Sequence, residues 1–235
     1  MEQRGCDDAS SLFIIQALMI TILQIKHAKD SVNAILDNGE TLRIPLRLLS
    51  QYRLDAGRTI GSEEYSQLKE ESNRFRCGLS ALDYLAVRPR SAAEMQRYLS
   101  KKGFSHDNIS EAVRGLIEAG YLDDHDFAVR YVNGRLNRKT VGRNLLAAEL
   151  QKKGIAKEII RRVLRESEAL HGNVDELYRL AIKKYDSIKH KKNSITKLAM
   201  FLYGRGFDRD AIAGVVDRIR GDENPESGAG DDAGD

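Results

Sequence analysis

The chain has no tryptophan, only two cysteines and three prolines, and aromatic residues make up 6% of its 235 positions. A low aromatic content is typical of helical units whose cores are built from leucine, isoleucine and alanine. The two cysteines, Cys6 and Cys77, have neither the spacing of a metal site nor that of a disulfide framework. We therefore expect reduced thiols, as in cytoplasmic proteins.

Long apolar runs are also missing. An apolar stretch, SLFIIQALMITIL at residues 11–23, is shorter than the roughly 20 residues that a membrane helix needs. Two acids, Asp7 and Asp8, precede it where a signal peptide carries basic residues. The sequence therefore predicts a soluble cytoplasmic protein with no signal peptide and no membrane span.

Motifs for catalysis are absent as well. The chain contains no G-x-x-x-x-G-K-[ST] phosphate-binding loop, and no glycine-rich turn follows a predicted strand. Neither cysteine lies in a recognisable nucleophile context. We predict that the protein is not an enzyme and needs no cofactor.

One stretch, YLDDHDFA at residues 121–128, does contain metal-ligand residue types, namely Asp123, Asp124, His125 and Asp126. No second histidine stands at helical spacing from His125, which argues against a metal site. The simpler interpretation is that Asp123 or Asp124 caps the following helix, whose first turn favours acids because of the helix dipole. A metal-dependent nuclease centred on the three aspartates remains an alternative, and it would require cleavage that depends on divalent ions.

What the chain does contain is an internal repeat. The phrase LSKKGF at residues 99–104 returns as LQKKGI at 150–155 and as LYGRGF at 202–207, with spacings of 51 and 52 residues. We call the leucine that begins each copy the key leucine: Leu99, Leu150 and Leu202. Apolar residues recur at fixed distances from it. Four positions before it are Met95, Leu146 and Leu198, ten after it are Ile109, Ile160 and Ile212, and fourteen after it are Val113, Leu164 and Val216. Such a gap-free match indicates a tandem repeat.

The repeated phrase predicts a helix end. A glycine in the left-handed conformation, followed by an apolar residue that contacts the key leucine, is the pattern of a Schellman turn. We assign this role to Gly103, Gly154 and Gly206. The next helix then begins at an N-cap, which we predict to be Ser105 in the first copy and Asp208 in the third, while Ala156 leaves the middle copy uncapped.

Two helices of each repeat come before its turn: a first helix, and a second helix that ends at the turn. Ser91, Gly142 and Ser194 lie eight residues before the key leucines and are predicted to cap the second helix, with Ser91 and Glu94 forming a capping box. Each repeat is thus three short helices, and units of roughly 45 residues are too small to be stable alone, so we expect them to stack into an elongated array.

The segment before the repeats changes to a strand pattern. β-branched runs separated by KD and by the hairpin signal DNG predict a three-stranded meander over about residues 19–46. A short helix, LRLLSQYRL, follows, and then one long helix or two abutting ones with Ser62 as the N-cap. The predicted organisation begins with an N-terminal extension (1–18) and the meander with a helical linker (19–78). Repeat 1 (79–122), repeat 2 (123–172) and repeat 3 (173–220) follow, and an acidic disordered tail (221–235) ends the chain.

Charge is distributed unevenly along the chain, although the net charge is only +3. Residues 79–220 hold 28 basic and 18 acidic side chains, whereas the tail, 221–235, holds six acids and no base. From Phe127 to Ala148 there is no acid at all. The repeats therefore form a basic body, and the tail is predicted to be disordered.

The basic residues recur in the loop between the first and second helices of each repeat, and stacked repeats would display these loops along one edge. We expect this stripe to contact a polyanion or an acidic protein surface, through phosphates rather than bases. The alternative is a charged face that only keeps the protein soluble. The candidate contact residues are Arg88, Arg90, Arg130, Arg135, Arg138, Lys139, Arg143, Lys152, Lys153, Lys191 and Lys192.

Three stretches make the sequence resemble the RecX regulatory proteins of bacteria: ALDYLAVRPRSAAEMQRYLSKKGF, LIEAGYLDDHDFAVRYV and GRNLLAAELQKKGIAKEII. The resemblance covers about residues 79–220 and is weaker in the third repeat, and the acidic tail has no counterpart in the family pattern. The matched family motif, with a structural or partner-contact role, consists of Tyr121, Leu122, Asp123, Asp124 and Phe127.

The resemblance implies tandem three-helix repeats, no catalysis, and the recombinase RecA as the partner. RecX-like proteins are understood to lie in the groove of RecA filaments on DNA and to suppress strand exchange, ATP hydrolysis and co-protease activity. We expect a monomer that binds RecA and its nucleoprotein filament, with weak affinity for single- or double-stranded DNA and none for membranes. The competing hypothesis is a stand-alone nucleic-acid-binding protein built from helix-turn-helix-like units.

Overall fold

A computed structural model describes residues 19–167 and 174–223, which divide into two compact units. The first unit contains the chain up to Pro89 together with Met95–Tyr121, and the second contains Arg90–Glu94 and the chain from Leu122 onward. No helix in the described ranges is long and apolar enough to cross a membrane. The predicted N-terminal extension, residues 1–18, lies outside the described residues.

The first unit begins with a small antiparallel sheet. Strands β1 (Met19–His27), β2 (Ser31–Leu36) and β3 (Thr41–Pro45) form the predicted meander. Its second turn is the DNG hairpin, where Gly39 has φ +82°. Helix α1 (Leu46–Gln51) follows as expected, and a short strand that the sequence analysis missed, β4 (Thr59–Gly61), pairs with β1 to give the order β3-β2-β1-β4.

One long helix, α2 (Ser62–Val87), then links the sheet to the repeats. The predicted N-cap was wrong by one residue, because Gly61 is the N-cap and Ser62 is the first helical residue. The beginning of α2 packs on the sheet, where Leu68 joins a core with Ile22, Val32 and Ile60. The rest of α2 is the first helix of repeat 1, so the predicted boundary at residue 79 falls inside a continuous helix.

The remaining helices follow the three-helix pattern. Repeat 1 continues with α3 (Ala92–Lys101) and α4 (His106–Glu118). Repeat 2 consists of α5 (Asp124–Leu136), α6 (Arg143–Lys152) and α7 (Lys157–Glu166), and repeat 3 of α8 (Val174–Asp186), α9 (Ser194–Gly204) and α10 (Arg209–Glu223). The fold class is confirmed as mostly helical, with three-helix repeats after a small sheet.

The repeated apolar positions form the cores of the repeats. The key leucines Leu99, Leu150 and Leu202 are fully buried, as are Met95, Leu146 and Leu198 four positions earlier. In repeats 2 and 3 they join continuous clusters with the apolar residues of the third helix, such as Ile160 and Ile212. The residues that recur in the sequence are therefore the same ones that pack in the core of each repeat.

The three helix ends are Schellman turns, as predicted. Gly103, Gly154 and Gly206 have φ values of +84°, +81° and +87°. The amide of the apolar residue that follows each glycine donates to the carbonyl of the key leucine, at 3.4, 3.2 and 3.3 Å. A fourth turn of the same kind, at Gly120 after α4, was not predicted, although its φ is +74° and Tyr121 donates to the carbonyl of Leu116.

The N-caps agree with the sequence in all but one of the repeat helices that were predicted. Ser105 accepts from the amide of Asn108, Asp208 accepts from that of Ala211, and Ala156 makes no side-chain cap. Ser194 is wrong as a cap, because Asn193, with φ +57°, is the N-cap and Ser194 begins the helix. Helix α10 continues to Glu223, past the predicted start of the tail, and residues 224–235 lie outside the described residues.

Candidate polyanion-binding surface

The recurring basic residues lie in the loops between the first and second helices of the repeats. We call these the helix 1–2 loops, and they comprise residues 88–91, 137–142 and 187–193. Five of the six predicted loop residues are exposed and Arg90 is half-buried. The exposed ones are Arg88, Arg138, Lys139, Lys191 and Lys192.

Arg135 does not belong to the exposed surface, contrary to the sequence analysis. It faces across from α5 to α6, where its Nε and Nη2 donate to the two carboxylate oxygens of Glu149 at 2.8 and 2.6 Å. The hydroxyl of Tyr131 donates to the same carboxylate at 2.9 Å. The side chains of Arg135 and Glu149 are only 27% and 23% exposed. This pair holds two helices of repeat 2 together and contributes little to a contact surface.

The hydrogen bonds of Glu149 determine its protonation. Burial acts to raise the pKa of Glu149, but the hydrogen bonds from Arg135 and Tyr131 outweigh burial and hold that pKa below its ordinary value. The bond to Glu149 in turn raises the pKa of Arg135. Both groups are therefore charged at neutral pH, and the carboxylate cancels part of the positive field of the acid-free run that precedes it.

Lys153 is also engaged inside the protein. Its ammonium group lies 3.0 Å from a carboxylate oxygen of Glu94 and 5.1 Å from the ring centre of Tyr131. Its side chain is 22% exposed. Lys152, one residue earlier, is exposed. Of the two lysines in the repeated phrase of repeat 2, Lys153 is therefore the one whose ammonium group is held by an ion pair inside the protein.

The remaining predicted residues of repeat 2 do present positive charge. Arg130 is exposed and forms a helical ion pair of 2.8 Å with Asp126, which neutralises it in part. Within residues 19–167 and 174–223, no carboxylate lies within 4.0 Å of the charged groups of Arg138, Lys139 or Arg143. The helix 1–2 loop and the first turn of α6 therefore carry three positive charges that no nearby carboxylate of the described ranges compensates.

The two aspartates of the YLDD motif make hydrogen bonds to backbone amides. Asp123 caps α5, since it accepts from the amides of His125 and Asp126 at 2.8 and 3.0 Å. Asp124 has a different function, which the sequence did not indicate, because it accepts from the amide of Ala92 at 2.9 Å. Leu122 and Phe127 are buried and Tyr121 is exposed. The described ranges contain no group of three or more potential metal ligands.

The cysteine that the structure describes has no nucleophilic character. Cys77 is fully buried in α2, and burial raises the pKa of its thiol to about 11. At neutral pH the group is a thiol rather than a thiolate, and the thiolate is the reactive form. Cys6 lies outside the described residues.

The second unit contains the same helix junction twice. The hydroxyl of Ser91, before α3, donates to the carbonyl of Lys153 at 2.6 Å. Two positions on, Ala93 lies so close to Gly154 that a Cβ there would overlap with it. In register, the amides of Gly142 and Asn144 donate to the carbonyls of Arg205 and Gly206 at 2.9 and 3.0 Å. The start of a second helix thus docks on the Schellman turn of the next repeat.

Comparison with known proteins decides the family. The family model for the first three-helix domain of RecX matches residues 79–114, and the model for its second three-helix domain matches residues 123–164. A regulatory protein RecX of Pelodictyon phaeoclathratiforme is 38% identical over 138 residues, which cover 58% of this chain and 84% of that protein. The chain belongs to the RecX family.

Longer alignments give the same result. A regulatory protein RecX of Bacillus licheniformis is 31% identical over 81% of this chain and 73% of that protein, and one of Clostridium perfringens is 28% identical over 88% and 99%. A crystal structure of a regulatory protein RecX has the same fold, with a TM-score of 0.67 and 20% identity over 84% of this chain and 99% of its own. That of RecX from Lactobacillus salivarius gives 0.57 at 25% identity, over 63% and 97%.

Within this RecX-family chain, two residues act through contacts between helices that the sequence did not predict, Glu149 and Asp124. Glu149 is the acid that ends the acid-free run, and its register position is occupied by Tyr98 in repeat 1 and Phe201 in repeat 3. That change of residue type was a visible signal that repeat 2 differs. The partner of Asp124 had no such signal, because Ala92 is 32 residues away in the sequence.

Proposed function

We propose that this protein is a non-enzymatic cytoplasmic regulator that acts as a monomer, binds RecA and RecA–DNA filaments, and inhibits strand exchange, ATP hydrolysis and co-protease activity. Membership of the RecX family supports a regulatory role. The observation that carries the proposal is the cluster of exposed, uncompensated bases at the helix 1–2 loop of repeat 2. The same loop is basic again in repeat 3, at Lys191 and Lys192.

The chemistry of these bases favours phosphate contacts. Arginine and lysine on loops can neutralise backbone phosphates and release counterions without reading base edges. Arg138, Lys139 and Arg143 lie within six residues of one another, and no carboxylate in the described part of the chain lies within 4.0 Å of their charged groups. A nucleoprotein filament offers both phosphates and acidic protein side chains, so it suits such a surface better than a neutral partner would.

The test is a titration of the purified chain into RecA that hydrolyses ATP on single-stranded DNA, with binding of the chain to the same bare DNA measured in parallel. We expect ATP hydrolysis to fall at concentrations where less than a tenth of the bare DNA is bound. A variant in which the charges are reversed, Arg138→Glu with Lys139→Glu and Arg143→Glu, should inhibit much less. Inhibition that appears only once the chain coats the DNA would contradict the proposal and favour the stand-alone nucleic-acid-binding protein.

A further inference from the structure

Repeat 3 has an apolar groove that no other described part of the chain covers. The groove runs between α9 and α10 and has a volume of about 450 Å³. Its walls include Ile195, Ala199 and Ala213, and Met200 and Tyr203 stand at its edge. These last two side chains are 70% and 67% exposed, which is high for large apolar residues.

The apolar character of the groove is not required by the three-helix fold. The repeat register places Arg97 and Ala148 where repeat 3 has Met200, and Ser100 and Gln151 where it has Tyr203. At the position of Ala213, repeats 1 and 2 carry Ser110 and Arg161. Repeat 3 therefore exposes apolar side chains at positions where its sister repeats carry mostly polar or charged ones, while all three keep the same buried leucines. A surface of this kind in a folded protein is typical of a protein contact.

The charges at the rim indicate what the partner carries. Arg209 and Arg220, both exposed, line the groove from α10. Asp217 lies 3.8 Å from Arg220 and compensates one of the two positive charges. The rim keeps a net positive charge, so it favours an apolar side chain flanked by carboxylates.

The acidic tail of the chain does not have the composition of this occupant. Residues 224–235 contain four acids but only Pro225, Ala229 and Ala233 as apolar residues. None of these is a large apolar side chain of the kind that a groove of about 450 Å³ would take. The occupant that fits is therefore a partner protein. A nucleic acid, which has phosphates rather than carboxylates and apolar side chains, is disfavoured.

We propose that this groove docks the protein component of the filament, RecA itself, through an apolar side chain flanked by carboxylates. The inference rests on the proposed function and deepens it, because it assigns protein contact to the groove of repeat 3 and phosphate contact to the helix 1–2 loops. Methionine suits such a role because its flexible thioether adapts to the shape of a partner. Tyrosine adds a large apolar ring with a polar tip, as is common at interface centres.

The experiment compares two matched double variants of the full chain. Met200→Ser with Tyr203→Ser removes the apolar edge of the groove, and Ala148→Ser with Gln151→Ser changes the same register positions in repeat 2. All four residues are exposed, and thermal melts check that each variant is folded. Affinity is measured for RecA without DNA and, separately, for single-stranded DNA without RecA.

We expect the repeat 3 variant to lose at least tenfold in affinity for RecA and to keep its affinity for DNA, while the repeat 2 variant keeps both. Arg209→Glu with Arg220→Glu should also weaken RecA binding, because carboxylates then face carboxylates. Unchanged RecA affinity of the repeat 3 variant would overturn the inference while leaving the proposed function intact. An equal loss of DNA affinity, or a concentration-dependent dimer of the parent that the variant abolishes, would overturn it too. A parent chain that binds RecA in no form would overturn the proposed function itself.

Discussion

The hydroxyl of Ser91 donates a hydrogen bond of 2.6 Å to the backbone carbonyl of Lys153, 62 residues later in the chain. The same oxygen accepts from the amide of Glu94 at 3.1 Å. A single side chain thus closes the beginning of α3 and satisfies a carbonyl at the end of α6, where helices normally leave such groups unpaired. The capping box that the sequence predicted is therefore also a tertiary contact.

We predict that Ser91→Ala destabilises the protein by about 2–3 kcal/mol, since it removes an N-cap and leaves the part-buried carbonyl of Lys153 without its donor. Ser105→Ala is the matched control, because Ser105 is an exposed cap with a single bond of 3.4 Å to Asn108. It should cost about 1 kcal/mol or less. Urea denaturation measures both, and equal costs would mean that the Lys153 contact contributes nothing.

The three Schellman glycines give a graded prediction. All three have positive φ, so alanine should cost about 1 kcal/mol at each for backbone conformation alone. At Gly103 a Cβ would meet open space, but at Gly154 it would overlap with Ala93 and at Gly206 with the backbone of Leu145. We expect Gly103→Ala to lower the free energy of unfolding the least and Gly206→Ala to lower it the most. Chemical denaturation measures these free energies. A cost at Gly103 equal to that at Gly206 would contradict the close packing of the junction.

The Arg135–Glu149 pair predicts a pH dependence. The pKa of Glu149 is lowered in the folded protein, so its contribution is complete above the ordinary glutamate pKa and is lost as the pH falls through the lower, folded-state value. Glu149→Gln should therefore cost about 2 kcal/mol at neutral pH, as expected for charged hydrogen bonds.

The difference between Glu149→Gln and the parent is the quantity to follow with pH. It should stay constant from neutral pH down to about pH 5 and shrink below about pH 4, where the parent carboxylate takes up a proton. Thermal melts at a series of pH values measure this. A difference that grows as the pH falls would show that Glu149 is not a charged partner of Arg135.

The parts of the structure that depend on local chemistry could be predicted from the sequence. Gly103, Ser105 and Asp123 all act within a few residues of themselves, so a local pattern is enough to predict their roles. The glycine signal also recurs in all three repeats, at Gly154 and Gly206. Ser62 and Ser194 were misplaced by one residue because a neighbouring residue, Gly61 or Asn193, takes the cap position.

The parts that depend on contacts between helices could not be predicted in this way. Counting charges along the chain placed Arg135 in the basic surface, but the fold brings Glu149 across from the next helix to neutralise it. In the same way, Lys153 forms an ion pair with Glu94 from another helix. Asp124 accepts a hydrogen bond from the amide of Ala92 and not from its own helix. Counting charged residues along the sequence gives the net charge of a segment, but the packing of the helices decides which of those charges face solvent.

The acidic tail predicts an effect of truncation. Residues 224–235 carry four acids and no base, and they follow a helix in the same unit as Arg138, Lys139 and the basic loop of repeat 3. Such a segment competes electrostatically with phosphates for a basic surface. Removal of these residues should tighten binding to RecA–DNA filaments at low salt and have little effect at high salt, where the attraction is screened. Equal affinities at low salt would show that the tail does not reach the surface.

The most direct test is equilibrium binding to preassembled filaments of RecA on single-stranded DNA, over a range of salt concentrations. The variant to compare with the parent is Arg138→Glu, Lys139→Glu and Arg143→Glu, which omits the internally paired Arg135. A charge-matched control, Lys26→Glu, Lys29→Glu and Arg47→Glu, changes three exposed bases in or next to the N-terminal sheet. We predict that the first variant binds at least tenfold more weakly than the parent. The slope of its log affinity against log salt should be smaller by about three, one for each phosphate contact removed. The control should bind like the parent. If the first variant binds with the affinity and salt dependence of the parent, these bases form only a solvated face and the proposed contact surface is wrong.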